Sequence, residues 1–125
     1  MWDGQEKNGR NIDEDASRVA EVKRLQAWID RSMAGHAPAT RIIAMDMNDA
    51  RESPPWRELA KDYADGFAKK ATWKSPRTGE SYRYDYVFWD DTTDAARRGK
   101  GFPAPYTSTA FTSDHQFVVA DIPLR

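Results

Sequence analysis

The most constraining stretch of this sequence is Tyr82-Arg83-Tyr84-Asp85-Tyr86-Val87-Phe88-Trp89. Aromatic and β-branched side chains dominate it, which reads as a strand. Alternation puts Tyr82, Tyr84, Tyr86 and Phe88 on one face, and Arg83, Asp85, Val87 and Trp89 on the other. An acid in the middle of such a strand is costly if it is buried without a partner. Asp85 therefore calls for one, and the rest of the sequence is read for groups that could supply it.

A second strand is predicted from Arg41 to Met45, where the apolar run Ile42–Met45 ends abruptly in Asp46 and Asn48. If the strand continues that far, the two polar side chains share a face. Ligands of open α/β sheets collect at the carboxyl ends of strands, so this pair could accept from and donate to one bound group. A polar turn following a strand would use the same residues, and this stretch alone leaves both readings open.

The remaining chain supplies cover for these strands. At 125 residues it suggests one domain, and five each of Trp, Tyr and Phe argue against disorder. Residues 1–15 are polar and read as a loop or loose arm. From Ala16 to Met33 a helix is expected, with Val19, Val22, Leu25, Ile29 and Met33 on one stripe and Trp28 covering the core from its edge. Asp13, Glu14 and Asp15 suit the helix N-terminus, and Gly35 suits its end. His36 has no acidic neighbour and is expected to be a bystander. Ser53-Pro54-Pro55 reads as an N-cap followed by proline in a first turn. Short strands are expected at Ala71–Lys74, Tyr106–Phe111 and Phe117–Ile122, with a turn over Pro76–Glu80. Asp90–Pro105 reads as a polar loop. Its cluster Arg97-Arg98-Gly99-Lys100-Gly101 is either a solvated surface or a phosphate contact, and it matches no phosphate-loop signature.

Composition excludes several classes. There is no cysteine, so disulfides and thiolate metal sites are ruled out. The net charge of −1 leaves no basic footprint for nucleic acid, although a local patch is compatible with it. No apolar run is long enough to span a membrane and no signal peptide is visible, which leaves the compartment open.

Three polar interruptions thus stand beside three strands: Asp46 with Asn48, Asp85, and Asp114 with His115. A buried Asp facing a His fixes the imidazole tautomer and stabilises the imidazolium. An adjacent carboxylate can hold a hard cation, and a further carboxylate and amide can position a water and an anionic oxygen. This set suits metal-assisted hydrolysis of a phosphate ester.

These motifs resemble those of the endonuclease/exonuclease/phosphatase superfamily, the fold of DNase I. Met45-Asp46-Met47-Asn48 is similar to its Gly-Asp-Phe-Asn motif, with Met45 in place of glycine. Arg83-Tyr84-Asp85-Tyr86-Val87 is similar to its Arg-Ile-Asp-Tyr-Ile motif. Ser113-Asp114-His115, followed by Phe117-Val118-Val119, resembles its closing Ser-Asp-His and last strand. The order also agrees, as does the helix that precedes the first motif. The resemblance implies that Asp46 orients or deprotonates the attacking water and that Asn48 contacts the scissile phosphate. It further implies that Asp85 orients His115, that protonated His115 stabilises the phosphoryl oxygens, and that Asp114 helps bind Mg²⁺ or Mn²⁺.

The resemblance covers nearly the whole sequence but only the C-terminal half of the family domain. The family's early Asn, its metal-binding Glu and its usual second His have no counterpart here, although Asp3 or Glu6 could supply a stray carboxylate. The expected architecture is α/β (α+β): half of a DNase I-like sandwich, with one mixed β-sheet and helices packed on one face. A polar arm over 1–15 would precede a single half-domain over 16–125. The expected function is a metal-dependent phosphoesterase-like half-domain, a nuclease or phosphodiesterase that is weak or inactive alone. The competing expectation is a non-catalytic interaction module that keeps the fold. A third is a truncated domain with no independent role. In the first two cases the uncovered apolar sheet face predicts a homodimer.

Overall fold

The computed structural model describes residues 6–7, 10–36, 40–66, 71–108 and 113–123. The order is β1 (Glu6–Lys7), β2 (Arg10–Asn11), α1 (Ile12–Met33), β3 (Ile42–Asp46), α2 (Pro54–Leu59), β4 (Ala64–Asp65), β5 (Trp73–Lys74), β6 (Ser81–Tyr82), β7 (Asp85–Trp89), α3 (Asp91–Gly99), β8 (Tyr106–Ser108) and β9 (Phe117–Val119). Helices and antiparallel sheets together make the α/β class expected. The single mixed sheet is instead, among the described residues, four small antiparallel ones: β3-β7-β4, β1-β2, β5-β6 and β8-β9. No helix among those residues is long and apolar enough to cross a membrane.

The three-stranded sheet positions the rest. Its centre is β7, with Ile43 opposite Phe88, Met45 opposite Tyr86 and Asp46 opposite Asp85. Directly opposed residues share a face. Tyr86, Phe88, Ile43 and Met45 therefore meet the helices together, packing with Val22 of α1, Leu59 of α2, Met47 and Tyr63. The other face carries Val87 and Trp89. Helix α3 meets Trp89 there, so the helices do not all lie on one side. The Arg97 guanidinium sits 4.3 Å from the Trp89 ring centroid, and Trp89 Nε1 donates to Asp94 Oδ1. Gly66 lies against the same indole, so closely that a Cβ would fall within the ring's contact envelope.

Several expectations shift at the level of single residues. Helix α1 begins at Ile12, not Ala16, because Asn11 Oδ1 caps it by accepting from the Glu14 N–H at 2.9 Å. Of the polar arm before it, Glu6–Lys7 and Arg10–Asn11 pair as β1 and β2, and residues 1–5 and 8–9 lie outside the described residues. Asp3 and the Glu6 side chain lie outside the described residues. Of the predicted stripe only Val22 is fully buried, and Trp28 is 60% exposed, so it does not cover the core. Ser53 caps α2 by position, without a side-chain hydrogen bond.

The polar loop expected over Asp90–Pro105 contains α3. Asp90 Oδ1 caps it, Asp91 and Asp94 occupy its first turn, and Arg97 and Arg98 its last. Arg97 is buried and donates to the carbonyls of Asp121 and Pro103. Arg98 pairs with Asp94. The basic cluster is therefore partly a structural staple. In the last third, β8 stops at Ser108 and β9 at Val119, while residues 109–112 lie outside the described residues.

The long aromatic strand is broken at Arg83 and Tyr84. Its first part, β6, joins β5 in a hairpin whose turn is closed by Gly79 (φ +73°), with the Gly79 N–H donating to the Ser75 carbonyl. Trp73, Tyr82 and Tyr84 stack there with ring centroids 5.3–6.1 Å apart. Tyr82 and Tyr84 thus serve the hairpin, whereas Tyr86 and Phe88 serve the core.

Candidate functional site

The sheet's geometry brings two carboxylates together before any catalytic consideration. Asp46 ends β3 and Asp85 begins β7, directly opposed in register. Like charges facing each other across an antiparallel pair repel. His115 meets both. Its Nδ1 lies 2.7 Å from Asp85 Oδ2, within hydrogen-bond reach, and its Nε2 lies 3.8 Å from Asp46 Oδ2. The partner that Asp85 requires is therefore His115, as the sequence predicts. A protonated imidazole offsets the repulsion of the opposed pair.

His115 is brought there by a strand-like contact. It forms an isolated antiparallel bridge with Trp73, flanked by Gln116 N–H to the Thr72 carbonyl (2.7 Å) and Lys74 N–H to the Asp114 carbonyl (3.3 Å). The Asp85 carboxylate, hydrogen-bonded to the ring, raises the His115 pKa above its ordinary 6.5 against the opposing effect of partial burial. The charges of Asp85, Asp46 and Asp114 push the same way. With Nδ1–H held by Asp85, Nε2–H of the imidazolium points into the gap beside Asp46. Burial raises the pKa values of the nearby Tyr84 and Tyr86 hydroxyls, which stay neutral.

Asn48 does not continue the strand. Its φ is +51°, a left-handed conformation that asparagine tolerates, so strict alternation with Asp46 is lost. Its backbone N–H, rather than its side chain, meets Asp46, donating to Oδ1 at 2.8 Å. Its carbonyl accepts from Arg18 on α1. Asp46 is exposed and accepts from that turn, a placement that holds the carboxylate at the strand end.

Asp46, Asp85 and His115 each offer a ligand atom, all within 4.8 Å of one another. Two carboxylates and one imidazole nitrogen fit Mn²⁺ and, less closely, Mg²⁺, which prefers an all-oxygen shell. Asp114, the ligand implied by resemblance, stands outside this group. Its Oδ2 accepts from Trp73 Nε1 at 2.7 Å, which ties the carboxylate to the hairpin. His36 is exposed at the end of α1.

Two open clefts adjoin the site residues. One, of about 320 Å³, runs over the sheet face past Ala44, Asp46, Asp85, Val87 and Phe117. The other, of about 480 Å³, is lined by Lys74, Ser75, Ser113, Asp114 and His115. Sequence reasoning missed Thr72, Trp73 and Arg18 as parts of this region. Thr72-Trp73-Lys74 carries a strand signal only, and the link from Arg18 to Asn48 spans distant parts of the sequence. No protein-family model, curated protein or solved structure matches the chain.

Proposed function

We propose that this chain is a metal-dependent phosphoesterase-like module of the nuclease or phosphodiesterase type. The observation that carries the reading is the line Asp85–His115–Asp46, an imidazole held at one nitrogen by a carboxylate and facing a second carboxylate across a short gap. Asp85 fixes the tautomer and favours the imidazolium. His115 Nε2–H then donates to a phosphoryl oxygen as negative charge grows there. Exposed Asp46 orients a water and takes its proton. Asn48, at the rim, contacts the phosphate. A divalent cation, when bound, would neutralise charge on the ester oxygens, and the Asp46 and Asp85 carboxylates would hold it, leaving His115 as the donor. Asp114 supplies outer negative charge from its anchored position.

The second reading is an interaction module, favoured by exposed apolar residues on β3 and on the β8-β9 sheet. Ile42 is 45% exposed, Tyr106 55% and Phe117 62%. Register puts Tyr106 on the Phe117 face through Val119. The occupant we assign to this face is a second copy of the chain. A two-fold axis would lay one such face on another and remove both from water, at about 25 cal/mol per Å² of apolar surface. The two readings are compatible, because the face begins beside the site.

The test is hydrolysis of a phosphodiester reporter by the purified chain with Mn²⁺, with Mg²⁺ and with chelator, alongside thermal melts in each condition. Metal-dependent turnover, together with a melting temperature raised by metal in wild type but not in Asp46→Ala, supports the reading. Neither turnover nor a metal-induced shift refutes the catalytic part and leaves the interaction module.

A further inference from the structure

Thr72 is a small hydroxyl residue with no exposed surface at all. Its contacts make it unusual. The N–H donates to the Tyr82 carbonyl at 2.9 Å. Its Oγ1 accepts two backbone hydrogen bonds, from Tyr84 N–H and Asp85 N–H, both 3.0 Å. Its carbonyl accepts from Gln116 N–H, next to His115. A single residue therefore grips the chain at Asp85 itself and beside His115, two positions 30 residues apart.

The need for this grip follows from the broken strand. Between β6 and β7 the chain leaves one sheet for another, and the N–H groups of Tyr84 and Asp85 turn toward Thr72 instead of a strand partner. Buried N–H groups must be satisfied. A threonine hydroxyl has two lone pairs, enough for both, and its branched Cβ restricts χ1 so that Oγ1 stays aimed at them. Valine has nearly the same shape and no acceptor. Serine keeps the acceptor and loses the methyl.

We infer that Thr72 is the positioning residue of the Asp85–His115 pair: its Oγ1 sets the Asp85 backbone and its main chain sets His115, so that carboxylate and imidazole meet. It touches neither partner's reacting atoms. The geometric role stands without the phosphoesterase reading. Only its consequence for turnover rests on that reading.

The experiment compares Thr72→Val and Thr72→Ser with wild type by NMR in metal-free buffer, at one pH below 6.5, the ordinary histidine value. The readout is the imidazole Nδ1–H proton of His115, slowed in exchange by Asp85. The other histidine, His36, is exposed and gives no such signal. Exchange of the Tyr84 and Asp85 amides is measured alongside. Thr72→Val is expected to lose the Nδ1–H signal and to speed both amides about tenfold, while its melt remains cooperative. Thr72→Ser is expected to retain the signal. A Thr72→Val protein that keeps the signal, or a Thr72→Ser protein that loses it, overturns the assignment. So does a Thr72→Val chain that fails to fold, because the hydroxyl would then serve stability in general. Reporter hydrolysis is followed in the same samples. Loss of the signal without any wild-type turnover would count against the catalytic reading and leave the positioning role standing.

Discussion

Replacing Asp85 by Asn removes one charge and leaves a side chain of nearly the same shape, so it isolates the electrostatic share of the Asp85–His115 bond. A hydrogen bond to a charged group contributes about 1.5–3 kcal/mol when well buried. Here the side chains are 31% and 19% exposed, so solvent screening reduces the expected share to about 1 kcal/mol. The sign depends on pH. His115 has a raised pKa in the folded chain, so its pairing stabilises fully below the ordinary value of 6.5 and is lost as pH climbs through the folded value. Asp85→Asn should therefore destabilise by about 1 kcal/mol on the acid side. On the alkaline side the imidazole is neutral and wild type holds two opposed carboxylates, so the variant gains a few tenths of a kcal/mol from relief of repulsion. The two stability–pH curves should cross. Urea denaturation in chelator-treated buffer measures the curves, and imidazole NMR should show the His115 pKa falling toward 6.5 in the variant. A constant difference between the curves at every pH, or an unmoved His115 titration, would refute the argument.

Gly66→Ala should destabilise the chain by about 1–3 kcal/mol in urea, because its Cβ would enter the space of a fully buried indole that Arg97 prevents from retreating. Arg97→Ala should cost about 2–3 kcal/mol, since two carbonyl acceptors and one face of Trp89 lose their partner at once. If phosphodiester hydrolysis is present, Asp46→Ala and His115→Ala should each lower it about 10²-fold or more, and equal rates in both variants and wild type would point to a different site. If the chain dimerises through the face that carries Phe117, Phe117→Glu should shift its sedimentation from dimer to monomer and lower its melting temperature, whereas an unchanged sedimentation coefficient would remove that face from the interface.

Much of the site was legible because its chemistry is written in local patterns. An acid in an aromatic strand implies a partner, and the histidine beside the last strand provides it. The core strands were legible for the same reason, since Ile43, Met45, Tyr86 and Phe88 alternate cleanly. The parts that escaped depend on contacts outside their own segments. Helix α3 lacks an apolar stripe, so only its cap and its charge gradient mark it, and these resemble a polar loop. The split between β6 and β7 is set by the Thr72 hydroxyl, well upstream, whereas the aromatic pattern runs through the break without interruption. The turn at Asn48 likewise breaks an alternation that the sequence alone would extend. Trp28 shows the opposite failure, for its place beside the stripe suggested burial, yet it is largely exposed among the described residues.

The Trp73–His115 bridge has a consequence for the order in which this chain folds. The β5–β6 hairpin closes over a few residues and can form early, whereas β3 must find β7 across the stretch of chain that holds α2 and β4 to β6, and the segment carrying His115 must then dock on the finished hairpin. The carboxylate–imidazole contact exists only once all three events have occurred. Local opening that releases the last segment would erase the site while most of the core persists. The slowed Nδ1–H proton is thus a sentinel for the last step of assembly, and its recovery during refolding should lag behind the burial of Phe88.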